Sequence, residues 1–205
     1  MSVIKSWVRK GIWLLPLYGL FTLYATWTHQ PDVENRFGAW SEYVTTANFL
    51  ISHLIGSIFG TTIGILGVIS LGLFLADSRR SRSALLGTVA VVLGSGGVLA
   101  LFGIAASTQP ALGNAYLSGL AEARDLYQAV YGPSTLGLAL TSVVLFSLGS
   151  ILLGTAIFGS GTLPKWTGVA YALSGPLIGF VSRWLRYLCP ATRPGFGSRA
   201  TVASS

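Results

Sequence analysis

Residues 47–76 read ANFLISHLIGSIFGTTIGILGVISLGLFLA and contain no Asp, Glu, Lys or Arg. A helix needs about 20 consecutive apolar residues to cross the roughly 30 Å of membrane hydrocarbon, and this stretch is longer than that. Four other uncharged stretches occur along the chain. We therefore predict an all-α fold, a polytopic transmembrane helical bundle of about five spans, with spans at residues 11–28, 47–76, 84–107, 135–160 and 166–182.

The composition agrees with a lipid environment. The chain is 52% hydrophobic and 9% charged, whereas soluble domains carry about 25% charged residues. The spans fill a transmembrane helical domain at residues 1–190, and residues 191–205 form a polar C-terminal tail. Cys189 is the single cysteine, which excludes an intrachain disulfide. The net charge of +7 comes from scattered basic residues, which favours contact with anionic lipids and argues against nucleic acid.

Basic residues indicate the orientation of the spans. They precede the first span and fill the gap between the second and third, and both segments are therefore predicted to be cytoplasmic. The opposite loops hold five of the six acidic residues. The chain is thus predicted to be a multi-pass protein of a bacterial inner or cell membrane with a cytoplasmic N-terminus. The basic residues are Lys5, Arg9 and Lys10 in the first segment, and Arg79, Arg80 and Arg82 in the second.

The C-terminal segment departs from this charge pattern and leaves an alternative open. Five spans place four arginines outside the cell: Arg183, Arg186, Arg193 and Arg199. A four-span protein, with Trp166 to Leu188 re-entrant or on the cytoplasmic face, agrees better with the rule. We favour five spans, because residues 166–182 are uncharged and long enough to cross.

Short amphipathic helices are predicted in the two outer loops, because apolar side chains recur there at helical spacing. They are Phe37, Trp40 and Val44 in the first loop, and Leu120, Ala123, Tyr127 and Val130 in the second. Aromatic residues at the span ends are expected to meet the lipid headgroups as two belts. The outer belt comprises Trp27, Trp40, Tyr43, Tyr127 and Tyr131, and the inner belt Trp7, Trp13 and Trp166.

Small residues recur at every fourth position of the second span, at Ser52, Gly56, Gly60 and Gly64. This spacing is typical of helix faces that let two backbones approach closely. Packing within the chain is the first interpretation of this helix-packing face. The alternatives are docking of another membrane subunit, or a slot for a flat lipophilic ligand.

His53 is an ionisable side chain inside the second span, and Ser57 follows it by one helical turn. Ionisable residues within a membrane are functional candidates, because their burial is costly. We therefore predict His53 and Ser57 as cofactor-binding residues. An imidazole can ligate the metal of haem or of a chlorophyll-type pigment. The alternative is structural: a neutral histidine can hydrogen-bond across helices, for example to Asn48 or a facing serine.

The sequence shows no catalytic constellation. Two histidines and six acidic residues do not cluster within the spans, so no metal site is predicted. The glycines at 94, 96 and 97 lie within an apolar helix and not after a strand, which excludes a nucleotide-binding loop. No catalytic residue is predicted, and we expect a non-catalytic protein.

Residues 162–179, which read TLPKWTGVAYALSGPLIG, resemble the start of the last span in small multi-span bacterial membrane proteins of unknown function. The turn at residues 29–32, which reads HQPD, is similar to such proteins as well. The resemblance implies a membrane topology and carries no activity.

The absence of recognisable chemistry, together with the helix-packing faces, favours an accessory or assembly subunit of a larger membrane complex. Its partners would be membrane lipids and other membrane protein subunits. The alternative is a binder or carrier of a lipophilic ligand in a slot on span two, such as a quinone, carotenoid, haem or chlorophyll. A third hypothesis is a membrane enzyme that acts on lipid, with His29 or His53 as base.

Overall fold

The computed structural model describes residues 3–27 and 30–188, with side chains up to Leu177. These residues form helices and no strand, which confirms the all-helical prediction for this part of the chain. The predicted tail, 191–205, lies outside the described residues. The elements are α1 (Val3–Gly11), α2 (Leu14–Trp27), α3 (Phe37–Val44), α4 (Ala47–Ile51), a π-helix (Ser52–Phe59), α5 (Gly60–Leu75), α6 (Ser81–Leu117), α7 (Ala123–Val130), α8 (Pro133–Ser160) and α9 (Lys165–Leu188).

Within the described residues, three helices are long and apolar enough to cross a membrane. The first is the continuous helix Ala47–Leu75, which joins α4, the π-helix and α5, and the others are α6 and α8. These helices are compatible with a membrane protein, but the count of five spans is not confirmed. The helix α2 has 14 residues, fewer than the about 20 that a crossing requires.

The helices α6 and α8 form the central pair, and their backbones touch at glycines. A Cβ atom on Gly94 of α6 would lie 2.6 Å from the backbone nitrogen of Phe146, and a Cβ atom on Gly149 of α8 would lie 2.6 Å from that of Val91. The helix α9 packs along α8, and α5 lies between α6 and α2. One core fills the α5–α6–α8 junction, with Val68, Leu71, Leu75, Ala84, Val91, Leu153, Ala156 and Ile157.

A second core forms the cap, where α3 and α7 pack on the C-terminal part of α6. The helix α6 continues ten residues past the predicted span end, through Pro110 to Leu117. A proline normally disfavours a helix interior, but packing holds this extension: a Cβ atom on Gly113 would lie 2.9 Å from the carbonyl oxygen of Ser41 in α3. The cap core comprises Phe37, Trp40, Val44, Phe49, Leu112 and Ala123.

The buried face of α3 corrects one expectation about the aromatic belts. Trp40 is 0% exposed, and its ring lies 5.0 Å from the rings of Phe37 and Tyr127. The prediction that Trp40 faces the lipid headgroups is therefore wrong, because its amphipathic helix packs on protein. The other tryptophans of the belts are exposed: Trp7, Trp13, Trp27 and Trp166.

The π-helix Ser52–Phe59 was not predicted from the sequence. In a π-helix the backbone bonds from i to i+5, a rare pattern that occurs frequently at functional sites. Thr46 begins the preceding helix α4, and its hydroxyl oxygen accepts a hydrogen bond from the backbone N–H of Phe49 at 3.2 Å. The π-helix places His53 and Ser57 on the side of the helix that faces the bundle interior.

Candidate functional site

A cavity of about 610 Å³ lies between the helices of the bundle. The volume is within the range of about 300–1,000 Å³ that is usual for small-molecule sites. Five segments build its wall: α2 with Gln30, the π-helix with the start of α5, α6, α8 and α9. The lining residues are Tyr18, Thr22, Ala25, Thr26, Gln30, His53, Gly56, Ser57, Thr61, Ser95, Val98, Phe102, Val143, Phe146, Gly175 and Leu177.

The structure places both predicted cofactor-binding residues, His53 and Ser57, in the wall of this cavity. Of the predicted small-residue run, Gly56 also lines it. The other members do not. Ser52 is buried, and its hydroxyl donates to the carbonyl oxygen of Phe49 at 2.8 Å.

The glycines of the small-residue run pack against α2, which runs antiparallel to their helix. A Cβ atom on Gly60 would lie 2.7 Å from Cβ of Phe21, and one on Gly64 would lie 2.8 Å from the ring of Tyr18. At Gly56 the nearest atom would be Cβ of Ala25, at 2.8 Å. Within this chain the glycine face is therefore covered by α2, and of these three glycines only Gly56 also lines the cavity.

The geometry of His53 defines which ring nitrogen faces a ligand. Its Nδ1 lies 3.0 Å from the carbonyl oxygen of Phe49, so this nitrogen carries the proton and donates it, because a carbonyl only accepts. The imidazole ring also packs on the Phe49 ring, with 4.0 Å between centroids. Nε2 then has a lone pair and no hydrogen-bond partner among the described residues. The bond stays within one helix, and Asn48 takes no part in it.

Three hydroxyl groups reach the cavity without a hydrogen-bond partner among the described residues, those of Ser57, Thr61 and Ser95. Their side chains are 9%, 4% and 6% exposed, respectively. Serine and threonine in helices often satisfy their hydroxyl by donating to the preceding turn. Thr22 does so at 3.0 Å, but these three do not. Because these hydroxyls line the cavity, all three groups are available to a guest molecule.

Apolar side chains from three helices also line the cavity, and its lining carries no formal charge. Val98 and Phe102 come from α6, Val143 and Phe146 from α8, and Leu177 from α9. No Asp, Glu, Lys or Arg is among the described residues that line the cavity. The site therefore combines hydroxyl groups with apolar side chains and has no acidic or basic side chain that would neutralise a charged guest.

A chain of hydrogen bonds connects the cavity wall to the cap. The side-chain amide of Gln30 donates to Oε1 of Gln109 at 3.2 Å, and the amide of Gln109 donates to the phenol oxygen of Tyr131 at 2.8 Å. Burial raises the pKa of the Tyr131 phenol, and the bond from Gln109 lowers it in part. Tyr131 is therefore a neutral phenol that holds α6 to the segment before α8.

Several lining residues were missed from the sequence, namely Gln30, Ser95, Phe102, Val143 and Phe146. A lone polar residue in an apolar run was the available signal for Ser95, but the other residues carry no local signal. His29, which was considered as a base for a lipid-acting enzyme, lies outside the described residues. Within the described residues, no group of three or more His, Cys, Asp or Glu side chains could hold a metal ion.

Comparison with models of known protein families, with curated proteins and with solved structures finds no match for this chain. The resemblance of residues 162–179 to small multi-span bacterial membrane proteins therefore stays a prediction.

Proposed function

We propose that this chain is an integral membrane protein that binds one neutral lipophilic molecule in the cavity between its helices. The observation that carries the proposal is the cavity itself, with a volume of about 610 Å³, no charged lining residue, apolar side chains, and three hydroxyls without a hydrogen-bond partner among the described residues. Ligand sites usually combine an apolar lining with a few placed polar groups in this way. The π-helix supports the same conclusion, because it supplies His53 and Ser57 to the wall.

The proposed topology follows the charges. The turn between α5 and α6 carries Arg79 and Arg80 and lies on the cytoplasmic side, and the cap of α3 and α7 lies outside. In this arrangement the predicted first span, residues 11–28, contains α2 together with the turn before it, and α9 is the fifth span. The cavity then lies at membrane depth, where a lipophilic molecule dissolved in the bilayer can reach it.

The hypothesis of an accessory subunit ranks second. Its motivation was the absence of recognisable chemistry together with helix-packing faces, and α2 covers Gly56, Gly60 and Gly64 of one such face. The hypothesis of a lipid-acting enzyme ranks third, because the described cavity wall offers the His53 imidazole but no carboxylate to assist it.

Photoaffinity labelling tests the proposed function. The purified protein in phosphatidylcholine vesicles is irradiated with a diazirine-bearing alkylbenzene, and the labelled residues are mapped by mass spectrometry. We expect saturable labelling at Phe102, Val143 and Phe146, because these residues form the apolar wall.

Two adjacent substitutions provide the matched comparison. Val143→Trp places an indole in the cavity and should abolish the saturable label. Val144 is 55% exposed on the outer side of α8, so Val144→Trp should leave the label unchanged. Labelling that is confined to outward residues, or that Val143→Trp does not reduce, would overturn the proposal.

A further inference from the structure

The cavity also indicates the chemical class of its ligand, an inference that rests on the proposed function. We infer that the ligand is a neutral lipophilic phenol, of which a quinol head is one example. Its hydroxyl donates to Nε2 of His53, and its oxygen accepts a hydrogen bond from one of the lining hydroxyls of Ser57, Thr61 and Ser95.

The cavity presents a hydrogen-bond acceptor, Nε2 of His53. Nδ1 of His53 is engaged with the carbonyl oxygen of Phe49, and no carboxylate among the described lining residues could serve as counter-ion to an imidazolium. The imidazole is therefore neutral, since an unpaired charge in an apolar cavity is costly. A neutral imidazole with a protonated Nδ1 presents a lone pair at Nε2. The matching ligand group is a hydrogen-bond donor.

The cavity wall also presents hydrogen-bond donors. The hydroxyls of Ser57, Thr61 and Ser95 have no partner among the described residues, and each can donate one proton into the cavity. Ser57 and Thr61 follow His53 at intervals of four residues, so donor and acceptor groups lie along one side of the helix. A ligand hydroxyl satisfies both requirements at once, because its proton is donated and its oxygen accepts.

The size of the cavity and its aromatic lining also bear on the class of the ligand. A volume of about 610 Å³ lies in the middle of the range usual for small-molecule sites, so an aromatic head with part of its tail fits. Phe102 and Phe146 present aromatic side chains to the cavity, and aromatic rings associate favourably with one another. An aromatic alcohol agrees with all of these features.

The test compares two probes that differ in a single proton donor, 4-octylphenol and its methyl ether. Binding to the detergent-purified protein is measured by native mass spectrometry as the fraction of one-to-one adduct across a concentration series. Loss of one hydrogen bond typically weakens binding by about three- to tenfold. We therefore expect the phenol to bind wild-type protein about three- to tenfold more tightly than the ether.

Variants assign the two hydrogen-bonding roles. His53→Phe keeps an aromatic ring on Phe49 but removes Nε2, so the preference for the phenol should disappear. His53→Gln restores an acceptor and should recover part of that preference. Thr61→Val removes one donor and should weaken both probes, whereas its neighbour provides the control: Thr62 is exposed and donates to the carbonyl oxygen of Ile58 at 2.9 Å, so Thr62→Val should change neither.

Equal affinity of the two probes for wild-type protein overturns this inference. A preference for the phenol that persists in His53→Phe overturns it as well. If neither probe binds but the diazirine alkylbenzene still labels the cavity saturably, the ligand class is wrong and the proposed function stands. If that label is absent too, both fail. The wild-type comparison keeps the test decisive even if a variant does not fold.

Discussion

The contact between α6 and α8 allows a stability prediction with a defined magnitude. A Cβ atom on Gly149 would lie 2.6 Å from the backbone nitrogen of Val91 and 2.8 Å from the carbonyl oxygen of Gly87, whereas ordinary contacts begin at 3.4 Å. The obstructing atoms are backbone, which no rotamer change can move. In Gly149→Ala the two helices must therefore separate by about 0.8 Å, at the expense of close packing along the crossing.

Overpacking of this kind costs about 1–3 kcal/mol. Gly137 lies on the same helix, and a Cβ atom there would meet nothing within 4 Å. Both substitutions gain the same preference of Ala over Gly in a helix, about 1 kcal/mol at most. The difference between the variants therefore isolates the contact, and we expect Gly149→Ala to be less stable than Gly137→Ala by about 1–3 kcal/mol.

The free energy of unfolding is measured by titration of sodium dodecyl sulfate into dodecyl maltoside micelles, followed by near-ultraviolet circular dichroism. The six tryptophans supply the signal. A difference below about 0.5 kcal/mol, the usual range for surface substitutions, would refute the close crossing of α6 and α8.

Three further predictions concern the cap and the topology. Gln109→Leu breaks the hydrogen bonds that connect Gln30 with Tyr131 and should lower the free energy of unfolding by about 1–3 kcal/mol. Gln128→Leu, on the exposed side of α7, is its control, and equal free energies for the two variants would contradict a stabilising role of these hydrogen bonds. Thr46→Ala removes the side-chain cap of α4 and should lower the free energy of unfolding by about 1 kcal/mol. A thermal unfolding midpoint equal to that of Thr62→Ala would contradict this expectation. In a Cys189→Ser background, a membrane-impermeant maleimide added to intact cells should label Ala121→Cys and not Arg79→Cys; the opposite pattern would invert the proposed orientation.

Much of the helical fold could be predicted from the sequence, because the length of an uncharged run is a local property. The stretch 47–76 is an example: it predicts a long apolar helix, and the structure has Ala47–Leu75. His53 drew attention because an ionisable group in such a stretch is costly. Its neighbour Ser57 was chosen for its helical spacing, and both residues line the cavity.

The relative placement of helices could not be predicted in the same way. Of the 26 glycines, those at the closest crossing of α6 and α8 are Gly87, Gly94 and Gly149, and no local feature distinguishes them from Gly137. Ser95 and Val143 belong to the cavity only because of how α6 and α8 are rotated about their axes. Such rotation depends on side-chain contacts between segments that are distant in sequence.

The π-helix has a consequence for the evolution and engineering of this chain. Because its turns contain more residues than those of an α-helix, excision of one residue between Ser52 and Phe59 would restore regular winding. An excision from a regular α-helix would rotate everything before it by about 100°. In the π-helix the wider turns already accommodate the additional residue, so the same excision would leave the flanking helices close to their present orientation. The change would be concentrated in the turns that carry His53 and Ser57, so the length of this segment can alter the cavity wall while the cap stays packed on α6.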